Sequence, residues 1–345
     1  MNMKRILIIE PNWLGDILFT TPSIRALRSS RPDAFIAVMA HPRCAQMLEG
    51  NPCVDRLILF DERPIYAKLI KKALLIRELR NMKFDTVISF HRSMSKLFFA
   101  CLAGIPRRLG YYTRKRSWLL TDPLAEDEMP LHRVEYYLKI LKNSGIDCDD
   151  KDYEFHIPDA VLKDAVSVML AAGLDSGEDY FVINPGGNWD QKRWPAHRYC
   201  ALCHRLHEIY GLKILITGAE KDIPLAAGII GPDKGFMINM CGKTSLKQLA
   251  CIMRMSSLVV SNDTGPMHIA ISQKAPVLAL FGPTCPDITG PYGRGRYRVL
   301  RKWYDCAVPC YKLCPGLMCM NAISVDDALE AAGALLNTPD KLRTV

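Results

Sequence analysis

The chain has 345 residues, 49% of them hydrophobic and 23% charged, which excludes a disordered or collagen-like protein and gives length enough for two domains with their own cores. Its apolar runs fall short of the roughly 20 residues that span a bilayer, and Met3-Lys4-Arg5 leads straight into an apolar run with no cleavable signal pattern, so a cytoplasmic location is expected. Thirteen cysteines, mostly scattered through predicted helices and strands, fit a reducing compartment better than a disulfide scaffold, and the net charge of +9 points to acidic partners.

Taken in order, short apolar runs alternate with helical patterns. The spacing predicts a strand Arg5 to Ile9, a helix Asp16 to Ser29, a strand Phe35 to Met39, a helix Pro42 to Glu49 and a strand Leu57 to Phe60. A long basic amphipathic helix from about Tyr66 to Asn81 follows, then a strand Thr86 to Ser89 and helices Ser95 to Leu102 and Leu131 to Lys142. After the acidic, linker-like Asp147 to Tyr153 and a helix over about Asp159 to Ala172, the pattern restarts. Its strands are Tyr180 to Ile183, Lys213 to Thr217, Met237 to Asn239, Leu258 to Ser261 and Val277 to Phe281. Such alternation implies mostly parallel sheets covered on both faces. The expected fold class is α/β, with two doubly wound Rossmann-like domains facing a central cleft, divided as 1–155 and 156–325 with a C-terminal helix and tail over 326–345.

The first loop, Glu10-Pro11-Asn12-Trp13-Leu14-Gly15-Asp16, holds one glycine and is no dinucleotide fingerprint. It presents Asp16 at a helix start, where the dipole and free N–H groups favour the ionised carboxylate. An ionised Asp facing a cleft can serve as a general base; an Asp at that place can also simply cap the helix.

Between Pro64 and Trp118 thirteen basic residues, from Lys68 to Arg116, stand against Glu78 and Asp85 alone. Such a stretch suits an anionic membrane, an acidic headgroup or nucleic acid. Lys71, Lys72, Arg114, Lys115 and Arg116 are its candidate acceptor or membrane contacts.

In the second half, four predicted strands end in loops that suit a phosphate-bearing ligand. Ser261-Asn262-Asp263-Thr264-Gly265-Pro266-Met267-His268 reads as a strand end, a tight turn and a helix start, where backbone N–H groups and the helix dipole bind anions. The loop Asn184 to Pro195 offers Gly186 and Gly187 for close backbone approach and Lys192 for a phosphate oxygen, while Trp194-Pro195 reads as an anchor for the next helix. Thr217-Gly218-Ala219-Glu220-Lys221-Asp222 carries carboxylates suited to ribose hydroxyls, with capping by Asp222 the alternative. The fourth loop, Cys241 to Ser245, contains Thr244.

Cys306, Cys310, Cys314 and Cys319 are spaced closely enough for zinc or an iron–sulfur cluster, but the spacing is not a C-x2-C knuckle, and reduced structural cysteines are the preferred reading. Cys200 and Cys203 do form C-x2-C, on a predicted helix with apolar neighbours, and read as core.

The motifs PNWLGD with TTPSIRALR, AGIPRRLGY, NPGGNWDQKRWP, TGAEKD, GKTSLKQLA and SNDTGPMHIA, collinear over nearly the whole chain, resemble the family 9 glycosyltransferases, and among them the ADP-heptose:lipopolysaccharide heptosyltransferases of type II most. The resemblance implies a GT-B fold with an acceptor-binding domain first and a nucleotide-sugar domain second. It also implies inverting, metal-independent transfer from an ADP-heptose donor to a lipid A-Kdo-heptose acceptor at the cytoplasmic face of the inner membrane, with no cofactor and no nucleic-acid partner. Asp16 resembles the family's base and Lys192 its diphosphate-contacting lysine, the two catalytic candidates. Asp263, Thr264, Gly265 and His268 match the donor motif D-[TS]-G-x-x-H, while Gly187 and Asn188 stand where some relatives carry hydroxyls. Heptosyltransferases I, II and III share these motifs, so the step stays open; a GT-B sugar-nucleotide epimerase or a non-catalytic basic binding protein are the other readings.

Overall fold

The computed structural model describes residues 3–61, 69–232, 235–302, 314 and 317–337. The chain forms two compact units, Met1–His156 and Ile157–Val345. The first is built on β1 (Arg5–Ile9), β2 (Phe35–Ala40), β3 (Arg56–Leu59), β4 (Thr86–Ser89), β5 (Arg107–Tyr111) and β6 (Asp122–Leu124). All pairings are parallel, in the order β3-β2-β1-β4-β5-β6. The second unit has β7 (Tyr180–Asn184), β8 (Lys213–Ile216), β9 (Met237–Asn239), β10 (Leu258–Asn262), β11 (Val277–Phe281) and β12 (Tyr297–Arg301), ordered β12-β11-β10-β7-β8-β9 and again parallel. Counted from its own first strand, the second sheet has the same winding as the first. Strand order reverses between β1 and β4 in one unit and between β7 and β10 in the other, which is where an open α/β sheet leaves a crevice at its carboxyl edge.

The central strands are unbroken apolar runs because helices cover both their faces. Every residue of β7, β10 and β11 is buried. In the first unit Leu7, Ile9, Met39, Val87, Leu97 and Phe99 share one core cluster. In the second, Phe181, Ile183, Val260 and Leu280 pack with Trp194, Tyr199 and the helix Val325–Leu336, which contributes Ala328, Ala331, Ala332 and Leu335. Cys203 lies in that core and Cys200 packs against it, as expected.

The sequence pattern missed β5, β6 and β12. β5 opens with Arg107-Arg108, β6 contains Pro123, and β12 at the sheet edge carries Arg298 and Arg301 around only two apolar residues, Val299 and Leu300, so none reads as a buried run. The first helix begins at Leu14, ahead of Asp16, and carries Pro22 inside it. Proline removes the N–H that would bond the Leu18 carbonyl, and Thr21 Oγ1 donates to that carbonyl instead at 2.7 Å. The start of the basic helix expected from Tyr66, with Lys68, lies outside the described residues; the helix is present over Leu69–Asn81.

Candidate active site

In the second unit the β10 strand ends at Asn262, whose buried side chain ties two loops together. Its Oδ1 accepts from Trp194 N at 3.1 Å and Tyr199 Oη at 2.8 Å, and its Nδ2 donates to the carbonyl of Pro185 at 2.8 Å. The loop after β7 is thereby fixed against the end of β10. Trp194 is buried and donates through Nε1 to the Ile323 carbonyl, the anchoring role its sequence context suggests.

Asp263 follows. Thr264 is the residue before the helix Gly265–Ser272, and its hydroxyl makes no bond to the helix's first N–H groups. The Asp263 carboxylate also points away from the helix: Oδ2 accepts from Lys192 Nζ at 2.6 Å and from Thr284 Oγ1 at 2.7 Å. Lys192 keeps 19% side-chain exposure against 5% for Asp263, and its ammonium lies 4.9 Å from the Trp189 ring centroid. Lys192, Asp263, Thr264 and Gly265 therefore gather at one place, and His268 is buried in the first turns of the same helix. Pro266 has no N–H to offer; the remaining first-turn donors and the cation suit an anion.

The neighbouring loops are built differently from the expectation. Gly186 was expected to admit a ligand, but a Cβ there would lie 2.8 Å from Asp222 Oδ2, and one on Gly218 2.9 Å from Asp222 Cβ. These glycines make room for Asp222. Asp222 itself is buried, with Oδ2 accepting from Ala219 N at 2.9 Å, so it braces its own loop and is not a free ribose acceptor. A Cβ on Gly187 would meet Thr264 Cγ2 at an ordinary 3.4 Å, and the Gly187 carbonyl accepts from Arg193 Nε at 3.1 Å. Asn188 is exposed and accepts from Lys221 Nζ at 2.9 Å. Glu220 is exposed, and Thr244 is partly buried just before the helix Leu246–Met255.

In the first unit Asp16 sits in the first turn of the helix Leu14–Ser30, partly buried, beyond the carboxyl end of β1. Behind it lie two groups that sequence reasoning did not single out. Glu10 is fully buried, with Oε2 accepting from Thr20 Oγ1 at 2.9 Å. Lys96 is fully buried too, and its Nζ donates to the Glu10 carbonyl at 3.1 Å and to Asn12 Oδ1 at 2.7 Å. Helical spacing carried a signal for Lys96: with Leu97, Phe99 and Ala100 it lies on the buried face of Met94–Leu102.

The basic stretch divides into two kinds of residue. Lys71, Arg114 and Lys115 are exposed and Lys72 partly so. Arg116, expected at the acceptor or membrane surface, is instead buried: its guanidinium donates to the Tyr111 carbonyl at 2.7 Å and to Ser89 Oγ at 3.3 Å. Burial lowers its pKa to about 10, and it binds the β4 and β5 ends together. A cation engaged by backbone carbonyls inside the fold cannot meet a headgroup, so Arg116 leaves the surface set, as does Lys96. Cys306 and Cys310 lie outside the described residues; Cys314 and Cys319 are partly buried.

Comparison with known proteins adds to this geometry. Residues 73–314 match the model of glycosyltransferase family 9 (heptosyltransferase). Lipopolysaccharide heptosyltransferase 2 of Escherichia coli K12 is 28% identical over 312 residues, covering 86% of this chain and 88% of that protein. The crystal structure of a glycosyl transferase of family 9 from Veillonella parvula superposes with a TM-score of 0.86 at 26% identity, over 97% of this chain and 98% of that one. E. coli ADP-heptose LPS heptosyltransferase II gives 0.79 at 26% identity, over 96% and 98%.

Proposed function

The chain belongs to glycosyltransferase family 9, the heptosyltransferases, and from that membership we propose that it transfers heptose from ADP-L-glycero-D-manno-heptose to the inner core of lipopolysaccharide, as the type II enzymes do. Each unit has the doubly wound topology of a GT-B half. The observation that carries the reading is the set at the end of β10, where Lys192, held by Asp263, which also accepts from Thr284, stands beside a helix N-terminus. That set suits the diphosphate of a nucleotide sugar, in a chain similar over most of its length to proteins named for heptose transfer.

In this reading Asp16 takes the proton from an acceptor hydroxyl as its oxygen attacks the anomeric carbon, and the bond to ADP breaks on the opposite face, giving inversion. Lys192 and the helix Gly265–Ser272 offset the charge that grows on the departing diphosphate, which removes the need for a metal. Exposed Lys71, Arg114 and Lys115, with the partly exposed Lys72, bring the protein to an anionic membrane surface, each contributing about 1 kcal/mol near such a surface.

The test is an assay of purified protein with ADP-heptose and a panel of truncated core acceptors, lipid-anchored and deacylated, with product stereochemistry read by NMR. Transfer to an acceptor already carrying one heptose, with inversion, is expected. Transfer only to a heptose-free acceptor moves the chain to another step of the family, and donor turnover with no acceptor preference overturns the reading. Changing Lys71, Lys72, Arg114 and Lys115 to Glu together is expected to lower activity on the anchored acceptor selectively; equal activity on both forms removes the membrane role.

A further inference from the structure

The loop Glu10–Asp16 leaves the carboxyl end of β1, a place where chain is ordinarily exposed and adaptable. Here it is clamped from two sides at Asn12. Lys96 Nζ holds the Asn12 side chain at 2.7 Å and the Glu10 carbonyl at 3.1 Å. Arg43 Nε and Cys44 Sγ donate to the Asn12 carbonyl at 3.0 and 3.3 Å, and the Arg43 guanidinium lies 4.5 Å from the Trp13 ring centroid. A fully buried lysine is costly to keep unless its protons are bonded, so the fold invests a desolvated cation in fixing this one loop. Asp16 is four residues further on.

Glu10 faces the same interior. One carboxyl oxygen accepts from Thr20; the other, Oε1, is buried without a hydrogen-bond partner. The charged or titratable groups around it are Asp16 from its own helix side, Lys96 from the helix Met94–Leu102, Tyr137 from the helix Arg133–Lys142 and Cys44 from the short helix Pro42–Ala45. Burial raises the pKa of both Tyr137 and Cys44, which keeps them neutral. Lys96 and Asp16 are thus the charges Glu10 responds to, and burial, opposed by Thr20 and Lys96 and reinforced by Asp16, pushes its pKa up to about 8.

We infer that Glu10 and Lys96 are positioning residues for Asp16, Lys96 by locking the loop that leads to it and Glu10 by tying the start of that loop to Thr20 of the helix that carries it. This rests on Asp16 being the base. The experiment is the pH profile of kcat, with ADP affinity by calorimetry, for the full chain and three variants. Lys96→Met is expected to lower kcat roughly 10- to 100-fold, the scale of a displaced catalytic group, with ADP affinity within twofold. Glu10→Gln is expected to erase an inflection near pH 8. Thr20→Val keeps the carboxyl but removes its hydrogen bond, so it is expected to move that inflection upward even should a charge-changing variant fold poorly. An inflection unchanged in both Glu10→Gln and Thr20→Val, or wild-type kcat in Lys96→Met, overturns the inference. Asp16→Asn is run alongside: if it loses turnover while the other variants do not, this inference alone fails, and if it retains turnover the base reading itself fails.

Discussion

The two points at which strand order reverses share one topology and carry opposite chemistry. At the end of β1 the charges are turned inward: Lys96 and Glu10 are fully buried, Lys96 bonded to the loop that bears Asp16 and Glu10 to Thr20 of the helix that follows. At the end of β10 the acid is inside and the base outside, with Asp263 5% and Lys192 19% exposed in side chain. Rigid backing suits a group that must meet one hydroxyl in one geometry. A partly exposed lysine on a buried carboxylate suits a diphosphate that must bind and leave, because its long flexible stem can move while its counter-charge stays fixed. In the proposed reading the same winding serves a proton acceptor in one unit and an anion site in the other, and the side chains behind each loop make the difference.

Asp16→Asn tests that assignment most severely. It is expected to keep the fold and the affinity for ADP while turnover falls roughly 10²-fold or more; unchanged turnover at saturating substrates dissolves the contrast. On the other side, Lys192→Ala is expected to weaken ADP binding by the roughly 1.5–3 kcal/mol of one charge-assisted hydrogen bond, about 10- to 100-fold by calorimetry. Unaltered affinity would place the diphosphate elsewhere.

The first unit's inward charge has a signature in stability. Glu10 binds its proton more tightly folded, at about 8, than at the unperturbed 4.5, so the folded state holds one more proton across that window and stability falls as pH rises through it. Below pH 4.5 this contribution is fully present, and above about 8 it is gone. Thermal unfolding of Glu10→Gln between pH 5 and 8 is expected to show a flatter decline than wild type; parallel curves would mean that Glu10 is ionised throughout. A finer probe of the second unit is Thr284→Val, which removes one of the two bonds to Asp263. Roughly 0.5–1.5 kcal/mol is at stake, a several-fold loss of ADP affinity, and none at all would make Thr284 a bystander.

Much of this was legible in the residues. The unbroken apolar runs of β1, β7, β10 and β11 announced buried parallel strands, and the turn residues from Ser261 to Pro266 marked the loop where Lys192 and Asp263 meet. What failed to show was the inside of the charged set. Arg116 and Lys96 read as surface because charge in sequence is almost always solvated, and their partners are backbone carbonyls and neutral side chains spread over the first unit, up to 86 residues away for Lys96 and Glu10. For Asp222 the capping alternative held, and what did not show was that the room for its carboxylate is an absence of atoms on Gly186 and Gly218. Edge strands β6 and β12 were lost because Pro123 and the arginines Arg298 and Arg301 are residues a sheet edge tolerates and a buried strand does not.

The seating of the helix Val325–Leu336 has a consequence for how the protein is made. The first unit holds all six strands of its sheet by Tyr153, so its core can close while the rest is still being translated. In the second unit Trp194 waits for the carbonyl of Ile323, and Phe181, Tyr199 and Leu202 wait for Ala328 to Leu335 to cover the same core. Because Trp194 N is also bonded to Asn262, the loops after β7 and β10 receive their final support only after the ribosome has passed residue 335. A nascent chain arrested before that point carries a closed first unit and a second core still open where Ala328 to Leu335 would cover it.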